Sequence, residues 1–273
     1  MSALTTDMIA QPDLWRLMIL LSHRRLDVAL LPPVENETAI YRSFLLDPEA
    51  DTPVKALEDV FYANPLLLND FRSVICLVDT PSAMAVPTEV APADYDLLMS
   101  TAFPLDNEAA AVSVSPTGTD TAVMLMSINP DMRGFLSRTY YNIRYYNNLA
   151  WLCAHLSPES RNVATPMVYA LTRHGSVDLI ALQQGRLLAA NTFEYDKPID
   201  AAYYVMATRS ILRIDPVSPV ITAGDDQTAL DRRLAEAGTI SRPMQLPALK
   251  FKLTAEAAAM PLQLTVTPQN IIK

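Results

Sequence analysis

The sequence predicts an α/β protein of two tandem domains, each a hairpin-led mixed sheet in the order β-β-β-α-β-α. Three observations carry that prediction. A pattern of short apolar segments occurs twice, and its clearer copy runs from Met167 to Gly238. The run Phe71 to Val78 is almost continuously apolar, the character of a strand buried on both faces. Helix-start signals follow the third strand of each copy, Asp51-Thr52-Pro53 in the first and Asp196 with Pro198 in the second. Repetition of one such unit points to duplication, with residues 12–150 and 151–273 as the two domains and a junction between Asn147 and Thr165.

In the first copy, Leu17 to Leu21 and Leu26 to Leu31 flank the polar group Ser22, His23, Arg24 and Arg25, which is the spacing of a hairpin. Pro32 and Pro33 close the second strand, and a third spans Ala39 to Leu45. Thr52 can cap a helix from Pro53 to about Ala63, ahead of the buried strand. Pro81 to Pro92 reads as a proline-broken connection and Ala93 to Phe103 as a helix. Thr121 to Ile128 reads as a strand, and Asn129 caps a helix through Met132 and Leu136. The stretch Tyr140 to Asn148 is polar and aromatic, and its tyrosines are expected to pack a domain junction rather than hold a ligand. In the second copy, strands at Met167 to Leu171, Val177 to Leu182 and Leu187 to Phe193 turn at Gly175 and Gly185. The next helix sets Ile199, Tyr203 and Met206 on one face. A strand at Val217 to Thr222 and a helix at Thr228 to Ala237, ended by Gly238, complete the unit. Beyond it only a short helical stretch around Thr254 to Met260 is assigned.

Composition narrows the function. Half of the 273 residues are hydrophobic, enough for a sizeable core. With 21 basic and 30 acidic residues the net charge is -9, so no overall positive field gathers nucleic acid or anionic lipid. Cys76 and Cys153 lie in apolar surroundings without Cys-x-x-Cys spacing and read as reduced core residues of a cytoplasmic protein. No apolar run approaches the roughly 20 residues of a membrane span, and Met1 to Pro12 lacks a basic region feeding an apolar one, so neither anchoring nor export is expected. There are 6 glycines against 21 prolines and no Gly-x-Gly, which sets aside Rossmann and P-loop phosphate sites. His155 has no carboxylate or cysteine at ligand spacing and reads as structural, and no Gly-x-Ser-x-Gly elbow is present. No metal or other cofactor is expected.

The stretch ALTRHGSVDLIAL, Ala170 to Leu182, is similar to the second phosphate hairpin of Hsp70-type ATPases, with Gly175, Ser176 and Asp178 where that family has a glycine, a threonine and an aspartate. VITAGDD, Val220 to Asp226, resembles the adenosine-binding turn, with Gly224 alone remaining of its glycine pair. With the repeated strand order, these make the chain resemble the superfamily of actin, sugar kinases and Hsp70 ATPases. LLAANTFEYDKPIDAAYY, Leu187 to Tyr204, and the layout around it resemble more closely a bacterial family, domain of unknown function 3822, for which an actin-like fold is described. The resemblance implies two ribonuclease-H-like halves flanking a cleft, the second with a C-terminal extension.

In those ATPases an aspartate ending the first strand of each half holds hydrated magnesium or orients the attacking water. Leu20 and Leu171 stand at those positions here, and Ser22, Arg173 and His174 replace the phosphate-cradling glycines. The resemblance therefore implies a catalytically inert protein, a scaffold or regulator with an unidentified protein partner. A second reading is a sensor. His23, Arg24 and Arg25 would face Arg173 and His174 across the cleft, and with Gly175, Ser176 and Gly224 bind a nucleotide or other anion without hydrolysis. The ordinary alternative is that these are solvated turn residues. A phosphotransferase with unconventional metal ligands is the outsider. Asp225 and Asp226 are read as caps of the following helix.

Overall fold

A computed structural model describes residues 3–104, 112–245, 249–254 and 260–268. Residues 255–259 of the short helical stretch read from the sequence lie outside the described residues.

Strands β1 (Arg16–Leu21), β2 (Arg25–Leu31) and β3 (Thr38–Leu45) form an antiparallel meander. Helix α1 (Pro53–Ala63) starts at Thr52, whose side chain accepts a hydrogen bond from the Lys55 N–H. Strand β4 (Ser73–Val78) then lies parallel to β1. The chain continues through β5 (Ala83–Pro87), α2 (Tyr95–Ala102), β6 (Val112–Pro116), β7 (Ala122–Ser127), α3 (Pro130–Thr139), β8 (Ile143–Asn147) and α4 (Asn148–Ser160). The second copy comprises β9 (Met167–Arg173), β10 (Ser176–Gln183), β11 (Arg186–Glu194), α5 (Pro198–Ile211), β12 (Val220–Gly224), α6 (Gln227–Glu236) and β13 (Ser241–Pro243). Short elements β14 (Lys252–Leu253) and α7 (Leu262–Thr265) follow.

Two large sheets result, ordered β14-β3-β2-β1-β4-β8 and β11-β10-β9-β12-β13. Leaving β14 aside, each runs third, second, first, fourth, fifth, with the first three strands antiparallel and the last two parallel. The duplication expected from the apolar pattern is therefore present in the topology.

The first copy carries an insertion that the sequence reading did not resolve. Pro81 to Pro92 is not merely a connection, because β5 lies within it and joins β7 and β6 in a separate sheet of order β5-β7-β6. Helix α2 packs on that small sheet through Met99 against Val86 and Leu125. The helix that joins α1 over the first large sheet is α3, with Phe61 and Phe135 edge to face at 5.2 Å. The tyrosine-rich stretch supplies β8, parallel to β4. Tyr146 sits 5.2 Å from Trp151, Tyr140 is buried with its hydroxyl donating to the Leu67 carbonyl, and Tyr141 is exposed.

Helix α4 lies where the junction was read. Ten of its 13 residues are buried. Trp151 packs with Met18, Leu20 and Leu77 of the first sheet, while Leu149, Leu152 and Leu156 pack with Tyr169, Leu171 and Ile180 of the second. It is thus a layer shared by both sheets, and its N-terminus fixes Asn147 and Asn148 between them. The C-terminal segment packs on the first sheet, where β14 pairs with β3 and Met260, Leu264 and Val266 join the Met18–Leu20 cluster, and it reaches the second through Gln263, which donates to Asp178. Cys76 and Cys153 are buried free thiols, their pKa pushed up by burial so that they stay protonated. Helix α5 buries Ala201, Ala202 and Val205, leaving Ile199 and Tyr203 exposed on the opposite side.

Candidate functional site: a cleft closed by an arginine and a histidine

The β1–β2 and β9–β10 turns both line a cleft of 780 Å³ between the two large sheets. The second turn is two residues long, with His174 and Gly175 both at positive φ (48° and 78°), the geometry that matches the right-handed twist of a hairpin. A left-handed backbone costs a residue with a Cβ about 1–2 kcal/mol. The His174 N–H offsets this by donating to Asp225 Oδ2 at 2.6 Å, and the Ser176 hydroxyl closes the turn by donating to the Arg173 carbonyl at 2.9 Å. The turn thereby aims Arg173 and His174 into the space between the sheets.

Arg173 is buried and already paired. Its Nε lies 2.9 Å from Asp178 Oδ2 within its own sheet, and its Nη2 lies 2.9 Å from Asp79 Oδ2, which follows β4 of the other sheet. Burial opposes its charge, but Asp178 and Asp79 outweigh that and hold the guanidinium protonated. Asp79 shares this one cation with Asp178, so burial prevails and its acidity is weakened, its pKa lying above the usual carboxylate range.

Asp178 is the hub of the site. It is fully buried and accepts from Arg173 Nε and Nη2, from the Thr192 hydroxyl at 2.6 Å, from Gln263 Nε2 at 2.8 Å and from Asn148 Nδ2 at 3.3 Å. One carboxylate thus joins β10, the hairpin turn, β11, α4 and α7. Asn148 Oδ1, buried beside it, has no hydrogen-bond partner among the described residues.

His174 repeats the bridging pattern of Arg173. Its Nε2 is 3.5 Å from Asp27 Oδ1 on β2 of the first sheet, and its Nδ1 is 3.9 Å from Asp225 Oδ2 beyond β12 of the second. Burial raises the Asp27 pKa, but hydrogen bonds with His174, Ser43 and Tyr41 more than compensate and leave it below the usual range. Burial and Asp27 push the Tyr41 hydroxyl upward, so Tyr41 remains a donor, at 2.8 Å.

The four acids follow the duplication. Asp27 lies directly opposite Leu20 in the β1–β2 ladder, and Asp178 lies directly opposite Leu171 in the β9–β10 ladder. The Asp79 N–H donates to the Leu21 carbonyl, and the Asp225 N–H donates to the Thr172 carbonyl at the matching place in the other sheet. The arrangement therefore has two carboxylates per sheet, and the basic side chains facing them, Arg173 and His174, both come from one hairpin.

These residues do not fit the magnesium-phosphate centre that an actin-like ATPase would place here. Leu20 and Leu171 are buried and supply no oxygen, while Asp27 and Asp178, across the ladder from them, already accept from His174, Tyr41, Arg173, Thr192, Gln263 and Asn148.

Six of the seven residues singled out from the sequence line the cleft: His23, Arg24, Arg173, His174, Gly175 and Ser176. His23 is exposed, with Nε2 4.0 Å from Glu194. Arg24 is exposed and makes no ion pair among the described residues. Gly224 instead lines a second cavity of 340 Å³ behind Arg173 and His174. Its lack of a side chain serves strand packing, since a Cβ there would meet the Thr172 carbonyl oxygen at 1.9 Å. Asp226 holds the N-cap position of α6, as read from the sequence, but its side chain makes no capping hydrogen bond. The Asp225 and Asp226 carboxylates are taken by His174 and by the Tyr195 hydroxyl, which donates to Asp226 at 2.8 Å. Asp27 and Asp79 escaped the sequence reading, although a lone acid inside the apolar run Leu26 to Leu31 is a signal in itself.

A family model described as Protein of unknown function (DUF3822) matches residues 5–229. The chain belongs to this family. Among solved structures, this DUF3822 protein is similar to a Bacteroides thetaiotaomicron protein of unknown function with an actin-like ATPase fold, at 20% identity over 86% of this chain and 92% of that one, with a TM-score of 0.73. It is also similar to a structure of the PilM–PilN type IV pilus biogenesis complex, at 12% identity over 92% of this chain and 93% of that one, with a TM-score of 0.54. The DUF3822 protein therefore has the actin-like ATPase fold. No curated protein matches it. Among the described residues no helix is long and apolar enough to cross a membrane.

Proposed function

We propose that this is a non-hydrolysing actin-like module of the cytoplasm that acts through protein contacts as a scaffold or regulator. Its halves, residues 12–150 and 151–273, are held by the Arg173–His174 turn rather than by a nucleotide. The observation that carries this reading is Arg173. It stands in the hairpin that resembles a phosphate loop, yet it is buried and spent on Asp79 and Asp178 from opposite sheets. PilM, which shares the fold, occurs in a complex with PilN, and this supports a contact-based role. Incubation of the purified protein with ATP and magnesium should release no phosphate above a blank and give no magnesium-dependent thermal shift. Saturating ligand at 100 times its Kd would contribute about 2.7 kcal/mol, so a shift of several degrees would overturn the proposal.

A second reading, an anion sensor, is favoured by one observation: Arg24 lines the cleft exposed and without an ion pair among the described residues. Such a site would rest on His23, Arg24 and Arg25, not on Arg173. Some member of a panel of phosphate, pyrophosphate and nucleotides should then raise the unfolding temperature, and Arg24→Ala should remove the rise. An unchanged shift in Arg24→Ala, or no shift with any anion, would count against it.

A further inference from the structure

We propose that the outward face of helix α5 is the surface through which two copies of this chain pair, as an antiparallel, twofold-symmetric dimer. The solvent side of a helix in a globular protein ordinarily carries charge, and a helix that is apolar all round is covered all round. Helix α5 packs Ala201, Ala202 and Val205 inward, yet its opposite side presents Ile199 (52% exposed), Tyr203 (67%) and Met206 (36%), followed by the exposed Ser210. Spaced at i, i+4, i+7 and i+11, these four form one stripe without a charged side chain.

The duplication supplies the comparison. Helix α1 holds the same place in the first copy, after the third strand and with a proline in its first turn. With Pro53 set against Pro198, Glu58 falls where Tyr203 stands and Asp59 where Tyr204 stands. The outward side of α1 carries Lys55 and Asp59, which pair with each other, and the half-buried Glu58. One copy thus keeps an ordinary solvated helix face, whereas the other has aromatic rings at the places of the acids. Apolar side chains gathered on one exposed face mark a surface that another surface covers.

A second copy fits this face better than a partner of one charge would. The stripe has no charge to steer such a partner, while each end of α5 carries both signs: Asp196 and Lys197 at its start, Arg213 and Asp215 beyond its end, all exposed. In an antiparallel pair about an axis near Tyr203 and Met206, the start of one helix meets the end of the other. Asp196 then faces Arg213 of the second copy and Lys197 faces its Asp215, each contact made twice by symmetry. The opposed helix dipoles favour the same direction. A stable dimer hides roughly 800 Å² on each copy. The exposed Ile240 widens the apolar area beside Met206, whose sulfur accepts from the neighbouring Thr239 hydroxyl, and Ile211 and Val217 extend it at the C-terminal end. Pairing through α5 goes beyond the scaffold reading and does not depend on it, nor on whether the cleft binds an anion.

Sedimentation velocity of the full chain across roughly 1 to 100 μM tests this pairing. The wild type should pass from the mass of one chain to that of two. Tyr203→Glu, which copies the residue at the matching place of α1, should raise the dissociation constant about a hundredfold. Its unfolding midpoint should match that of the dissociated wild type, because Tyr203 is exposed. Asp196→Arg and Arg213→Asp each set like charges together and should weaken pairing several-fold, whereas both together should restore it. A wild type that stays a single chain at about 100 μM, or a dimer that Tyr203→Glu leaves intact, would overturn the proposal. No recovery in the double variant would overturn the antiparallel arrangement, and should Tyr203→Glu not fold, the charge exchange decides alone.

Discussion

Arg173→Ala is expected to lower the free energy of unfolding by about 3–5 kcal/mol, because it removes one cation and leaves two acids in the interior. Asp178 is fully buried, and the Asp79 side chain is 19% exposed, so neither can recover its lost partner by hydration. For a chain of this size each kcal/mol moves the unfolding midpoint by roughly 2–4 °C, so a fall of around 10 °C is expected. The loss should depend on pH in a stated direction. Asp79 already lies above the usual carboxylate range, and without Arg173 it should rise further. A carboxyl with a raised folded-state pKa binds its proton more readily in the native state, so stability falls as pH rises through that pKa. The deficit of Arg173→Ala should therefore be smaller in mild acid than at neutral pH. Arg173→Lys should recover only part of the loss, since an ammonium lacks the planar fork that reaches Asp178 and Asp79 together. Chemical denaturation at two pH values measures all of this, and a deficit below about 1 kcal/mol would mean that the ion pairs are dispensable.

The parts of this structure that were legible in the sequence are those whose signal is local. Strands β1 to β4 and β9 to β11 announce themselves by apolar runs, and Thr52 and Asn129 announce helix starts that the structure confirms, each accepting a backbone N–H. Helix α4 was not legible for a physical reason. It is buried against a sheet on either side, so apolar residues surround it and leave no one-sided period. Strand β5 was hidden by Pro81 and Pro87, but Pro87 ends it at the edge of a small sheet, where a missing N–H is tolerated. The face of Ile199 and Tyr203 was correctly placed on one side of α5, but periodicity cannot say which side is inward, and small Ala201, Ala202 and Val205 make the packed one.

The site divides along the same line. That two polar turns with cations sit on equivalent hairpins could be read from the repeat. That Asp79 claims Arg173 and Asp27 claims His174 could not, because those pairs join residues of different sheets, far apart in the chain. Local sequence showed a cationic spot, whereas tertiary structure adds the acids that use the charge of Arg173 internally and leaves Arg24 exposed.

Gly224→Ala is expected to be the most damaging single-methyl change in the protein, costing about 4 kcal/mol or more or preventing folding altogether. Gly224 pairs with Thr172 across the parallel β12–β9 ladder and has φ of 114°, a conformation that residues with a side chain rarely adopt. A Cβ would stand 1.9 Å from the Thr172 carbonyl oxygen and 2.7 Å from its carbonyl carbon, and backbone atoms cannot step aside as a side-chain tip can. Strand β12 would have to withdraw from β9 at this point. The same contact positions the acids beyond it, since Asp225 donates its N–H to the Thr172 carbonyl and Asp226 donates its N–H to the Thr172 hydroxyl at 3.0 Å. Withdrawal would thus carry Asp225 away from the His174 N–H and Asp226 away from Tyr195, coupling a packing defect to the loss of the contacts that hold the β9–β10 turn. Thr172→Ser is the useful companion, because it keeps the hydroxyl and the backbone and should remain near the wild type. The glycine resembles the survivor of an adenosine-binding pair, yet its absence of a side chain is required here by strand contact alone. Soluble, cooperatively unfolding Gly224→Ala with wild-type stability would show that this close approach is not obligatory and would return the residue to consideration as a ligand contact.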